Sequence, residues 1–257
     1  MFRDPQIWFR LRLEEFKFRI REFVRRYLRK LVEIAITDLD LMGALHDLRS
    51  SAAFEHAHLR EAADFKGRHQ LYRHVLSQIP DHADGLFLEF GVRKGDSINR
   101  LAELRPDIRW HGFDSFEGLP EKGRPGSREG MFDVGGVLPP VRDNVTLIKG
   151  FFAATLPHFI AEHRSERVAF LHVDCDLYSS TKTVFDQLGH LLRPGCIIVF
   201  DEYFNHPGWQ DGEYKAFAEY VAKTGRPFEY IGYVRTGAQV AVRLAATPSS
   251  LPPPPGG

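Results

Sequence analysis

The chain has 257 residues, of which 43% are apolar, 26% charged and 12% aromatic, which is enough to build one large core and excludes disorder as the main state. Its 34 basic residues are matched by 34 acidic ones, and this balance argues against nucleic-acid binding through a generally basic surface. No apolar run approaches the roughly 18 to 20 residues of a bilayer span, and the first residues are charged too regularly for a signal peptide, so a soluble, cytoplasmic protein is expected.

The even balance hides a split. Residues 1–30 carry ten basic and four acidic side chains, a net of +6, which leaves −6 for the remainder. Phe9, Leu13, Phe16, Ile20, Val24, Tyr27 and Leu31 recur every three or four positions and predict a basic amphipathic helix over 5–35. Such a helix can make peripheral contact with an anionic membrane through residues 1–30; alternatively its apolar face packs on the rest of the chain or on a second subunit, which is the commoner use of such a face. Helical character continues through Leu71, Tyr72, Val75 and Leu76, and Pro80 closes a helical N-terminal extension, residues 1–80.

From Gly85 short β-rich runs alternate with helical stretches. Strands are predicted over 86–90, 108–113, 145–148, 168–173, 196–200, 228–234 and 239–244, with helices near 97–104, 156–163, 180–192 and 213–223. Strict alternation means a parallel sheet covered on both faces. The last two runs are separated only by a turn around Arg235, Thr236 and Gly237 and must form an antiparallel hairpin. The expected fold is therefore α/β, with a Rossmann-like seven-stranded sheet over 81–246, followed at 247–257 by a disordered tail rich in Pro and Gly. Cys175 and Cys196 fall past the end of one strand and at the start of its parallel neighbour, about 15 to 20 Å apart at 3.3 Å per residue. That separation exceeds a disulfide's reach, so both are read as buried free thiols.

The first strand of this alternating region runs into Glu89-Phe90-Gly91-Val92-Arg93-Lys94-Gly95-Asp96-Ser97. Gly91 and Gly95 permit positive φ and close backbone approach to a ligand, while Asp96 or Ser97 can cap the next helix. The turn suits a nucleotide-like group but lacks the G-x-G-x-x-G spacing of a pyrophosphate site. The second strand ends at Asp114, where a carboxylate can accept hydrogen bonds from a ribose diol; capping a helix is its plainer use. The fourth delivers Asp174 and Asp176, which continued extended geometry would project to one side. The fifth delivers Asp201 and Glu202. Four carboxylates at one sheet edge repel one another unless neutralised, and a hard divalent cation such as magnesium suits them; helix capping does not need four acids.

From about residue 85 to 242 the chain resembles class I S-adenosylmethionine-dependent methyltransferases of the macrocin O-methyltransferase type. The resemblance rests on Glu89-Phe-Gly-Val-x-x-Gly, Gly112-Phe-Asp-Ser-Phe-Glu-Gly-Leu-Pro, Lys149-Gly-Phe-Phe-x-x-Thr-Leu-Pro, Asp174-x-Asp-Leu-Tyr-x-Ser-Thr, and Asp201 followed by Glu202 and Tyr203. Two departures stand out: the family's Asp-Gly-Asp is here Asp174-Cys175-Asp176, and its Asp-Asp pair is Asp201-Glu202. The resemblance implies a seventh strand inserted antiparallel beside the fifth. It implies S-adenosylmethionine in a site that takes in Glu89, Gly91, Gly95, Asp114, Ser115 and Asp174, and Mg2+ held by Asp174, Asp201 and Glu202. Asp176 would be the general base for O-methylation of a small hydroxylated acceptor, a sugar or glycosylated metabolite. His206 and Tyr203 are candidates for the acceptor pocket, with an ordinary structural loop as the alternative. Other readings are a catechol-like phenol as acceptor, and a catalytically silent fold serving as an interaction module tethered through the basic helix; a homo-oligomer is compatible with each.

Overall fold

The computed structural model describes residues 5–123 and 126–246, with backbone alone at 5–14, 34–37 and 39–40. The tail expected at 247–257 and the side chains of Phe9 and Leu13 lie outside the described residues. The chain divides into two compact units, Met1–His46 and Asp47–Gly257. The first holds helix α1 (Pro5–Thr37) and the start of α2 (Leu39–His58). Asp38 separates the helices, and its Oδ1 accepts the Leu41 N–H at 3.0 Å, an N-cap bond that starts α2.

The second unit is built on eight strands: β1 (Ala63–Phe65), β2 (Leu86–Phe90), β3 (Trp110–Asp114), β4 (Val145–Lys149), β5 (Val168–Val173), β6 (Leu192–Phe200), β7 (Phe228–Val234) and β8 (Val240–Leu244). Their order across the sheet is β1-β7-β8-β6-β5-β2-β3-β4. Strands β2 to β6 pair in parallel, and β8 lies antiparallel between β6 and β7. The α/β class, the parallel array and the closing hairpin are as the sequence predicts. The eighth strand is the difference. Ala63–Phe65 falls in a stretch read as helical, and three residues carry no periodicity; β1 exists because its backbone pairs with β7, with Asp64 opposite Tyr233. Arg235 fastens it further, its N–H donating to the Phe65 carbonyl at 3.2 Å and its Nε to Asp64 at 2.8 Å.

All five residues of β2 are buried, since helices cover both faces of the sheet. Alternate side chains go to opposite layers. Leu88, Phe90, Leu171 and Phe200 pack with Phe185 of α6 (Tyr178–Leu188) and Phe217 of α7 (Glu213–Thr224). Phe87, Phe170 and Ile197 pack with Tyr72 and Val75 of α3 (Arg68–Leu76) and Leu101 of α4 (Asp96–Leu104). Helix α5 (Phe152–Glu162) joins the first layer through Leu156 and Phe159. Cys175 and Cys196 are free and buried. Register places Phe90 beside both Phe113 and Val173, and Val173 beside Phe200, so these parallel strands end level. Ligands bind to such sheets at this carboxyl edge.

A half-buried histidine on the sheet has its titration shifted. His111 on β3 lies with its ring centroid 5.1 Å from Phe159 and 5.6 Å from His163. Burial, then the nearby His163 and Arg109, push its pKa down to about 4. The unfolded chain protonates this group near pH 6.5, so its contribution is complete above that pH and is lost as pH falls from about 6.5 toward 4. His111→Phe, which keeps the ring contact, is expected to flatten the decline of melting temperature across that window. An unchanged slope would remove His111 as its cause.

Candidate active site

A cleft of about 470 Å3 opens at the level strand ends, lined among others by Gly91, Arg93, Asp114, Ser115, Phe151, Asp174, Asp176, Asp201 and Glu202. Its floor depends on Gly91. At φ 97° this glycine lets the end of β2 approach the residue after β5 so closely that a Cβ would lie 1.7 Å from the Asp174 carbonyl oxygen. The Gly91 N–H donates to Phe113 O at 2.9 Å and the Asp174 N–H to Phe90 O at 2.8 Å, prolonging the sheet pairing by one residue. Gly95, at φ 83°, caps α4 and shapes the turn without lining the cleft.

Asp114 fixes this turn against β3. Its Oδ2 accepts the Arg93 N–H and its Oδ1 the Phe116 N–H, both at 2.7 Å; each oxygen keeps lone-pair capacity for a further donor. The Ser115 hydroxyl accepts from the Glu117 N–H at 3.1 Å and donates to the Gly118 carbonyl at 3.1 Å, holding the adjoining wall.

The remaining acids come from two loops. Strand β5 stops at Val173 and Asp176 has φ 60°, so strand alternation does not carry from Asp174 to Asp176 as extended geometry would require; the chain turns, and both carboxylates still line the cleft. Asp201 Oδ1 accepts from Gln239 Nε2 at 3.2 Å and lies 3.9 Å from Arg68 Nη1. Burial first, then repulsion from Asp201, raises the Asp174 pKa well above the usual carboxylate range. The Glu202 N–H donates to Oε2 of Glu213 at 2.9 Å. Glu213 is 1% exposed, its Oε1 has no hydrogen-bond partner, and burial pushes its pKa well up.

Besides Gly95, three predicted residues do not reach the cleft. Glu89 is fully buried behind it: Oε1 accepts from Ser97 Oγ at 2.9 Å and Oε2 pairs with His172 Nδ1 at 3.0 Å. Its place is to orient His172, whose Nε2 meets the Tyr72 hydroxyl at 3.1 Å. Burial opposes protonation of His172, but its bond to the Glu89 carboxylate prevails and raises its pKa. Tyr203 is 1% exposed within an aromatic cluster, its hydroxyl 3.0 Å from that of Tyr230. The rings of His206 and Pro207 do not line the cleft either; His206 Nε2 instead bonds the Glu202 carbonyl at 3.1 Å.

The donor set suits a cation. His172, Asp174 and Asp201 offer ligand atoms all within 4.8 Å of one another. With both His172 nitrogens bonded to Glu89 and Tyr72, the carboxylates form the open side of the group. Oxygen donors of this kind match magnesium rather than zinc or copper. The sequence reading missed Arg68, His172, Tyr72 and Glu213. A histidine inside the apolar run of β5 was the available signal for the buried pair, whereas Arg68 and Glu213 carry no local mark.

Residues 88–203 match a family model described as a methyltransferase domain. Over 155 residues the chain is 31% identical to the 8-demethyl-8-(2,3-dimethoxy-alpha-L-rhamnosyl)-tetracenomycin-C 4'-O-methyltransferase of Streptomyces olivaceus. That match covers 50% of this chain and 57% of the relative, so the chain spans little more than half the relative's length. Among solved structures, CalS11, a calicheamicin methyltransferase, superposes with a TM-score of 0.57 at 25% identity, over 84% of this chain and 90% of its own. The O-methyltransferase NovP shares the fold with a TM-score of 0.52 at 21% identity, over 69% of this chain and 79% of its own.

Proposed function

We propose that the chain, whose residues 88–203 match a methyltransferase-domain family model and whose fold superposes on that of a calicheamicin methyltransferase, is an S-adenosylmethionine-dependent, magnesium-dependent O-methyltransferase acting on a sugar hydroxyl of a glycosylated metabolite. The carrying observation is the convergence of Asp114, Asp174, Asp176, Asp201 and Glu202 on one cleft at the carboxyl edge of the sheet. A catalytically silent module has no use for such repulsion. The rhamnosyl 4'-O-methyltransferase relative supports a sugar acceptor.

Each residue then has a task. Asp114, already fixed by two backbone N–H groups, accepts the ribose hydroxyls, and Gly91 admits the cofactor close to the backbone. Phe151, 46% exposed on the cleft wall, offers a face for the adenine. Asp174, Asp201 and Glu202 would hold the cation, which when bound supplies positive charge that makes an acceptor hydroxyl more acidic. Arg68 steadies Asp201. Asp176 would take the proton of the acceptor hydroxyl on a carboxylate oxygen, freeing that oxygen for the methyl group that bound S-adenosylmethionine would supply.

The test is methyl transfer from labelled S-adenosylmethionine to rhamnosylated aromatic glycosides, with magnesium and with chelator. A magnesium-dependent product bearing the label on its sugar is expected. Label transfer to catechols but to no glycoside would overturn the sugar acceptor, and no transfer to either class would overturn the activity. A second prediction concerns the cation alone: at about 100 times its Kd, magnesium should stabilise the fold by about 2.7 kcal/mol. Asp174→Asn removes a repelled carboxylate, so it should raise the melting temperature of the cation-free protein and abolish the magnesium response. A magnesium response of wild-type size in this variant would remove Asp174 from the cation site.

A further inference from the structure

Helix α1 presents an apolar stripe that the proposed chemistry does not use. Phe16, Ile20, Phe23, Val24, Tyr27 and Leu31 are each 45% to 70% exposed. At 100° per residue these six fall within a sector about 100° wide along the helix. Charges are sorted around it. Lys17 and Arg21 flank the stripe on one side and Arg19, Arg26 and Lys30 on the other, while Arg25 and Arg29 lie with the acids on the face opposite the stripe. The acids Glu15, Glu22 and Glu33 lie on the far side, where Glu15 and Glu22 pair with Arg19 and Arg25 at 3.8 and 3.0 Å. Among the described residues of α1, Phe18, Leu28 and Val32, 54% to 64% exposed, are apolar side chains outside this stripe.

We propose that α1 lies in the plane of an anionic lipid surface, with this stripe in the headgroup and acyl boundary. The occupant follows from the two basic flanks. Against a second copy of α1, packing stripe to stripe sets basic flank against basic flank in both the parallel and the antiparallel arrangement, which repels. Against an anionic lipid surface both flanks meet opposite charge: their long side chains reach outward to phosphates while their stems cover apolar surface. The acids then point to water. Among the described residues no helix is long and apolar enough to cross a membrane, in keeping with a helix lying on the surface.

Sedimentation of the full chain with vesicles tests this. Vesicles of phosphatidylcholine mixed with phosphatidylglycerol should carry the protein down, and pure phosphatidylcholine should not. Ile20→Glu combined with Tyr27→Glu should abolish the effect. Arg21→Gln and Lys30→Gln should each weaken partitioning about fivefold, from about 1 kcal/mol per basic residue near such a surface. Glu22→Gln should leave it intact or strengthen it. Cofactor affinity, measured on each variant, should stay at the wild-type value. Absence of sedimentation, or equal sedimentation with both vesicle types, would overturn the proposal. A dimer in solution that the Ile20 and Tyr27 substitutions dissociate, without vesicle binding, would assign the stripe to a second copy instead.

Discussion

Asp176→Asn is expected to slow methyl transfer by about 10²- to 10⁴-fold, the range over which a positioned proton acceptor contributes, while S-adenosylmethionine affinity and the magnesium-induced rise in melting temperature stay at wild-type values. The substitution tests chemistry rather than folding for a structural reason. Asp176 adopts φ 60°, a conformation that Asn tolerates as well as Asp does, and the two side chains have nearly the same shape. What is lost is the carboxylate oxygen that can take a proton. Asp176 is not among the residues proposed to hold the cation, so cation binding should survive. Single-turnover measurement with saturating cofactor separates the step from binding. Wild-type turnover would transfer the base role to another residue.

Gly91→Ala should be the most damaging single substitution at the cleft, costing about 2–4 kcal/mol through steric displacement added to positive φ and weakening cofactor binding. A methyl group there would lie 1.7 Å from the Asp174 carbonyl oxygen, so the ends of β2 and β5 must part. Parting them breaks the Asp174 N–H bond to Phe90 O and displaces the cation ligand on the same residue. Gly195→Ala is the internal control. Gly195 has φ 94°, close to the 97° of Gly91, but its added Cβ would meet nothing within 4 Å, so only the backbone term of about 1 kcal/mol applies. Equal melting temperatures for the two variants would contradict the close approach at Gly91.

The outcome at particular residues shows what a sequence makes visible. Strand and helix alternation was legible because buried parallel strands are short, unbroken apolar runs between glycine-rich turns, as in Leu86–Phe90. Acids at strand ends were legible for a related reason: the position after such a run lies at the sheet edge by construction, which brought Asp114, Asp174 and Asp201 to the cleft. Strand β1 was not, because its pairing partner is some 170 residues away, with Ala63 opposite Gly232. Direction within the site was equally hidden. Glu89 and Asp114 both occupy strand ends, but Glu89 turns inward to Ser97 and His172 while Asp114 lines the cleft. The choice is set by a histidine on the neighbouring strand, a contact that local spacing does not encode. Tyr203 and His206 failed similarly, since neighbouring the cation strand in sequence does not orient a side chain toward the cleft.

The most direct test of the central claim is calorimetric titration of S-adenosylmethionine, and separately of its demethylated product, into the intact chain with magnesium and with chelator. Saturable binding of both, weakened at least tenfold by Asp114→Ala in protein that stays folded despite losing the Arg93 and Phe116 N–H bonds, is the predicted result. No binding of either compound under either condition would contradict the methyltransferase assignment itself.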